Sequence, residues 1–208
     1  MSNFFPTNQD QNIKEFLDEY IDRLAVSMKS LDLVTLQSVY SALLDAITRN
    51  SVIYTCGNGG SSSIAEHFVC DFVKGASTDS SIDPKVVPLL NTPTLTAIGN
   101  DIGYEEIFSY QVEKYGSEGD VLMCVSSSGN SENIIRALNT ARLKKMISIS
   151  FVGFDGGEAN SQSDYSIHID SENYGICEDA HHALMHIFAQ FIRLKNIKDK
   201  EILGNIKF

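Results

Sequence analysis

No apolar run in the 208 residues approaches the roughly 20 needed to cross a bilayer, so a helical membrane anchor is not expected. Cysteine is scarce. Cys56, Cys70, Cys124 and Cys177 form no CxxC pair and no zinc-ribbon spacing, and they read as reduced, mostly buried thiols. The start, MSNFFPTNQD, has neither a basic segment nor an apolar core of the kind that directs secretion, and the expected compartment is the cytoplasm. Positive charge is also short: 16 Lys and Arg stand against 27 Asp and Glu, a net charge of -11. A phosphate backbone would be repelled by that average, which excludes nucleic acid as the expected partner. There is no internal repeat and no low-complexity linker. With 43% hydrophobic residues the chain fits one globular domain carrying a helical extension.

The hydrophobic pattern divides the chain near residue 50. Before it, Ile13, Phe16, Leu17, Tyr20, Ile21, Leu24 and Met28, and then Leu33, Leu36, Tyr40, Leu43, Leu44 and Ile47, recur at steps of three and four. That spacing predicts two helices, with Asp32 as N-cap of the second. They are expected to pair antiparallel and to pack on the domain or on another subunit. From Val52 onward, the short apolar runs VIYTC, KVVPLL, VLMCVS and ISISFVGF alternate with helix-like segments at 64–74, 104–115 and 132–144. DYSIHID is a weaker fifth strand before a final helix at about 178–195. Alternation of this kind implies an α/β fold with a parallel sheet covered on both faces. Residues 1–50 are the helical extension and 51–208 the sheet domain. The loop 75–83, GASTDSSID, has the composition of a mobile segment.

Two loops rich in serine and glycine follow strands: CGNGGSSS at 56–63 and SSSGNSEN at 126–133. Each runs into a helix N-terminus, where unpaired N–H groups and the helix dipole favour an anion. Serine hydroxyls add donors, and glycine lets the backbone approach closely. Neither loop has the lysine of a nucleotide P-loop, and neither fits GxGxxG. One such loop is commonly a surface turn; two at equivalent strand ends point to a phosphomonoester. Beyond the first loop, His67 and Asp71 are four apart, about 40° around a helix, one turn below the phosphate site. Glu178 and His186, eight apart on the last helix, also share one side, with His182 between them and His181 to one flank. His, Asp, Glu and His would make a zinc set with two ligands per helix. Taken singly, a His/Asp pair is commonly a surface pair and His186, beside Met185 and Ile187, a core histidine. His168, in a strand-like segment, has no assigned role.

CGNGGSSSIAEHF, TAIGNDIGYEEIFSYQV, GDVLMCVSSSGNSENIIRAL and EDAHHALMHIF together resemble the sugar isomerase (SIS) domain family, and more narrowly its sedoheptulose-7-phosphate (phosphoheptose) isomerases. The resemblance spans nearly the whole chain. It implies a doubly wound, five-stranded parallel sheet of flavodoxin-like type, with an N-terminal helical pair in the subunit interface. It further implies a homotetramer with shared active sites, a phosphosugar substrate, and zinc. Position by position, the family's metal ligands fall on His67, Asp71, Glu178 and His186, and its substrate contacts on Asn58, Gly59, Gly60, Ser61, Asn100, Asp101, Ser126, Ser127, Ser128, Ser131 and Glu178. Asp71 would be the catalytic base and His186 its partner. Four positions depart from the family: Asp71 stands for Glu, Glu178 for Gln, Ser127 for a frequent Thr, and Lys74 lies one place out of register from a common Arg. The rival reading is a non-catalytic module of the same fold, which binds a sugar phosphate and acts as an assembly or replication-initiator-associating factor. A second rival, another sugar-phosphate isomerase or a cell-wall sugar etherase, fits less well because those chains are longer and end in different helices.

Overall fold

The computed structural model describes residues 9–205 and 208. Five strands, β1 (Val52–Gly57), β2 (Lys85–Pro88), β3 (Val121–Ser126), β4 (Ile147–Val152) and β5 (Tyr165–His168), form one parallel sheet in the order β2-β1-β3-β4-β5. The helices are α1 (Ile13–Lys29), α2 (Leu33–Thr48), α3 (Gly60–Cys70), α4 (Thr92–Asp101), α5 (Ser109–Tyr115), α6 (Glu132–Leu143), α7 (Gly157–Gln162) and α8 (Tyr174–Asn196). Right-handed crossovers are the rule for parallel neighbours of this kind. They put α3 on one face, packed against β1, β2 and α8, and the α5–α6–α7 layer on the other. β3 lies at the centre and is buried along its whole length, which is why its sequence, VLMCVS, is an unbroken run rather than an alternation.

The two N-terminal helices form where the periodicity places them. Asn12 opens α1 with a reciprocal cap: its side chain accepts from the Lys14 and Glu15 N–H groups while Glu15 reaches back to the Asn12 N–H. Asp32 opens α2 by accepting from Thr35. The expected pairing is corrected, however. α1 lies along α8, whereas α2 lies across β1 and β5 and touches α8. The reason is the division of apolar surface. Val39, Leu43, Ala46 and Ile47 of α2 join the main core, while Ser27 is the one buried residue of α1.

The loop at 75–83 is tied down, against its composition. Ser81 N–H donates to the Asn196 carbonyl at 2.8 Å, Lys198 N–H to Asp79 at 3.0 Å, and the Arg193 Nε to Thr78 at 2.9 Å. Three of the four cysteines are buried and all are free thiols; Cys70, at the end of α3, is exposed. Among the described residues no helix is long and apolar enough to cross a membrane.

One histidine belongs wholly to the core. His181 on α8 is completely buried, and its Nε2 donates to the Val152 carbonyl of β4 at 3.1 Å. Its Nδ1 is buried without a partner, so a proton added there would have nothing to bond. Burial accordingly pulls the imidazole pKa from 6.5 down to about 4. As pH falls, the unfolded chain takes up this proton first. The stability contributed by a neutral His181 is intact above pH 6.5 and drains away as pH drops toward 4. Glutamine keeps the donor and cannot titrate. Urea unfolding of wild type and His181→Gln at about pH 7.5 and about pH 5 should show the wild type losing ~2 kcal/mol more than the variant. Equal losses would place the acid sensitivity in other groups.

Candidate active site

Both serine loops leave the sheet side by side. β1 and β3 are neighbours, paired with Gly57 opposite Val125, so the chain turns off both strands at nearly the same level. This is also where the strand order reverses, the position at which open parallel sheets bind ligands. The helices that follow share an unusual feature. Of the six helices of ten residues or more, α1, α2, α4 and α8 are capped by the side chains of Asn12, Asp32, Asn91 and Asn173. The other two, α3 and α6, begin at Gly59 and Ser131 with no side-chain cap. The first two N–H groups of each lack an acceptor within the helix, while the third, of Ser62 and of Ile134, bonds back to the carbonyl of Gly59 and of Ser131. Ser126 and Ser127 are buried beside them, and the Ser127 hydroxyl has no hydrogen-bond partner. Gly129 shapes the second loop. Its φ is +63°, and a Cβ there would stand 2.0 Å from the Gly156 carbonyl, so only glycine fits.

Asn58 joins the two loops. Its amide exchanges hydrogen bonds with the amide of Asn133, each at 2.9 Å, and its oxygen also accepts from the Tyr104 hydroxyl at 3.0 Å. Cavities of about 550 and 540 Å³ flank this junction and share Asn58 and Tyr104 as walls. Asn133 and Tyr104 had no role in the sequence reading. Both lie inside the motifs quoted there, but the signal is spatial: only the fold brings them to Asn58. Asn100 and Asp101 are not gathered with the rest. They sit at the last turn of α4, bonded to each other at 2.7 Å; they line neither cavity, and neither do Gly60, Ser61, Ser126, Ser127 and Ser128.

The second half of the site lies where α3 packs on α8. α3 passes at Asp71 into a π-helix, Asp71–Ala76, a wide turn of the kind that concentrates at functional sites. The buried Asp71 carboxylate stands between two imidazoles. Its Oδ2 accepts from His186 Nδ1 at 2.5 Å, and its Oδ1 lies 3.3 Å from His67 Nε2. A third imidazole, His182, completes the group. Its ring centre is 4.7 Å from that of His67 and stacks at 4.8 Å on that of His186. One ring nitrogen of each of the three lies within 4.8 Å of the others. Burial, with the neighbouring imidazoles of His67 and His186, holds the His182 pKa below its ordinary value, so that ring is neutral near pH 7. Glu178 is placed elsewhere. Its carboxylate packs over Gly60, where a Cβ would stand 2.4 Å from Oε2, so it faces the opening turn of α3. A carboxylate is favoured at that uncapped N-terminus.

The sequence matches the SIS domain model over residues 15–153. A phosphoheptose isomerase of Clostridium acetobutylicum is 36% identical over 81% of this chain and 83% of its own length. Among solved structures, a phosphoheptose isomerase from Francisella tularensis superposes with a TM-score of 0.81 at 25% identity, covering 88% of this chain and 96% of that one. The phosphoheptose isomerase of Neisseria gonorrhoeae superposes with a TM-score of 0.78 at 30% identity, covering 86% and 96%.

The unpartnered Ser127 hydroxyl gives a clean test of the cradle. Inorganic phosphate, or a sugar phosphate, should raise the melting temperature by binding the folded state. Ser127→Ala removes no internal hydrogen bond, so the unliganded protein should melt within a degree or two of wild type while the phosphate shift shrinks or vanishes. A full shift in the variant would remove the second loop from the anion site.

Proposed function

The chain belongs to the SIS-domain family, and from that membership we infer that it is an aldose–ketose isomerase of sugar phosphates. The substrate proposed is sedoheptulose 7-phosphate, converted to the aldoheptose 7-phosphate that surface-polysaccharide heptose synthesis would use. The single observation that carries the reading is Asp71, a buried carboxylate bonded to His186 on the helix that rises from the first serine loop. The cradle alone would serve a binding module equally well; a base held in place beside it serves proton transfer. The non-catalytic alternative is not favoured, since the relatives that match over most of the chain are named as isomerases.

In the proposed mechanism the phosphate sits on the N–H groups of α3 and α6 and on the hydroxyls of Ser126, Ser127, Ser128 and Ser131. Asn58, Gly59, Gly60, Ser61 and Glu178 line the path of the sugar. Asp71 takes a proton from the hydroxyl-bearing carbon beside the ketone, giving an enediol, and returns it to the former carbonyl carbon. His186, its hydrogen-bonded partner, orients the carboxylate, and the hydroxyl proton passes from one sugar oxygen to the other within the enediol. A divalent metal, proposed as zinc, would polarise those oxygens when bound. His67 and His186 are its proposed ligands, and the family resemblance adds Asp71 and Glu178. Asn100 and Asp101, exposed and outside their own cavities, are proposed to serve a neighbouring subunit's site.

Purified protein incubated with sedoheptulose 7-phosphate should yield the aldose phosphate, and Asp71→Asn should lower kcat by about 10²–10⁴-fold with little change in KM. Absence of product from the wild type, with metal supplied, would overturn the assignment.

We also propose a cytoplasmic homotetramer. Ile13, Leu33 and Val34 of the N-terminal helices are 83, 77 and 75% exposed, and Ile187, Phe191 and Leu194 form an exposed apolar strip along α8. Apolar surface of this extent is usually covered by a partner. Light scattering should give four times the chain mass; a stable monomer at micromolar concentration would refute it.

A further inference from the structure

We propose that His182 is the third imidazole of a three-histidine site for a divalent cation, with His67 and His186, and that Glu178 lies outside it. The proposal rests on the reading of His67 and His186 as metal ligands of a sugar-phosphate isomerase, but it changes the ligand set which the resemblance implies. That set spends two carboxylates, Asp71 and Glu178, and gives His182 nothing to do. The geometry divides these residues differently.

His182 and His186 are four apart on α8, so both project from one face of the helix. His67 meets them from α3, its ring centre 4.7 Å from that of His182 and 5.0 Å from that of His186. The Nε2 of His182 is buried and bonds to no other group. An orphaned ring nitrogen beside two further imidazoles is what a cation would satisfy. Zinc bound at about 2.0–2.1 Å in tetrahedral geometry needs ligand nitrogens roughly 3.4 Å apart. The nitrogens here lie within 4.8 Å, so small ring rotations close the set without moving either helix. Three neutral nitrogen donors suit zinc and leave a fourth position for substrate.

The carboxylates have other work. Asp71 already accepts from His186 Nδ1, the arrangement in which a second-layer carboxylate fixes a ligand histidine's tautomer and leaves its Nε2 for the metal. Glu178 is turned onto Gly60 at the mouth of the first loop. It is two turns of α8 from His186, with His182 between them. A packed aromatic cluster would need the rings but not the nitrogens, and that is the contrast to exploit.

The experiment titrates metal-free full-length protein with Co²⁺, read by its visible absorption, and with Zn²⁺ against a chelator. Three variants are compared with wild type: His182→Phe, His182→Gln and Glu178→Gln. Phenylalanine keeps the stacked ring and removes the nitrogen; the glutamine variant covers the case in which His182→Phe does not fold. Wild type should bind one cobalt ion with an intense visible band. Loss of His182 should weaken zinc binding by more than the ~100-fold typical of an outer-layer change and should collapse the band. Glu178→Gln should leave the band shape unchanged and shift affinity by only a few-fold. A His182 variant with the wild-type band and affinity would overturn the proposal, as would a wild type that binds no metal. A Glu178→Gln loss equal to that of His182 would overturn the exclusion of Glu178. Turnover of sedoheptulose 7-phosphate without His182-dependent metal would sink this inference alone; tight His182-dependent metal without turnover would sink the isomerase reading alone.

Discussion

The parallel pairing of β1 with β3 is the constraint on which the rest of the site depends. Neither serine loop is distinctive by itself. Their adjacency comes from the register that sets Cys56 against Cys124 and Gly57 against Val125 at the centre of the sheet. The two thiols lie 3.4 Å apart in a dry core, which holds the strand ends close without any cross-link. With the strands fixed, the first turns of α3 and α6 lie side by side, and the paired amides of Asn58 and Asn133 join the two loops between the flanking cavities. A one-residue slip between these strands would reverse the facing of every side chain on one of them and separate the loops.

The second requirement is that α8 lie along α3. The core supplies it: Ala180, Leu184, Met185, Phe188 and Ala189 on α8 are buried in the same cluster as Phe68 and Phe72. His181 adds direction to this apolar contact, because its bond to the Val152 carbonyl fixes the rotation of α8 about its own axis. That rotation aims Glu178, His182 and His186 at α3 instead of at solvent. The buried core histidine and the histidine cluster are therefore one arrangement, adjacent residues on adjacent faces of a single helix.

Much of the fold is legible in the sequence because its strands are buried on both faces and read as continuous apolar runs. The long helices are legible because their apolar residues keep a helical step. Two of the shorter helices are not. α4 contains Pro93 and Gly99, and α7 has six residues with little apolar surface, so neither carries a period. α3 begins at Gly60, earlier than its first apolar residue, because a glycine–serine run that looks like loop supplies the opening turn. α8 begins at Tyr174, where Asn173 caps it, earlier than the Glu178 that the charge pattern suggests. The two serine loops and their place at strand ends are readable from composition and spacing. The histidine cluster was readable only in part, since spacing along one helix says nothing about which residue of a neighbouring helix it meets. His182 therefore gained its place only through the packing of α3 on α8.

The missing caps of α3 and α6 have a consequence for anyone who sets out to make the protein more robust. Aspartate at position 131 would be an obvious stabilising change, because a side-chain cap is worth about 1 kcal/mol; Gly59, at φ +55°, holds a backbone shape that a capping side chain would strain. Aspartate at 131 would also plant a permanent carboxylate where the proposed phosphate would dock. Heat resistance gained there would come with built-in competitive inhibition, so thermostability at position 131 and affinity for an anionic ligand are alternatives. Directed evolution scored on melting temperature alone would be drawn toward the proposed site and would silence it.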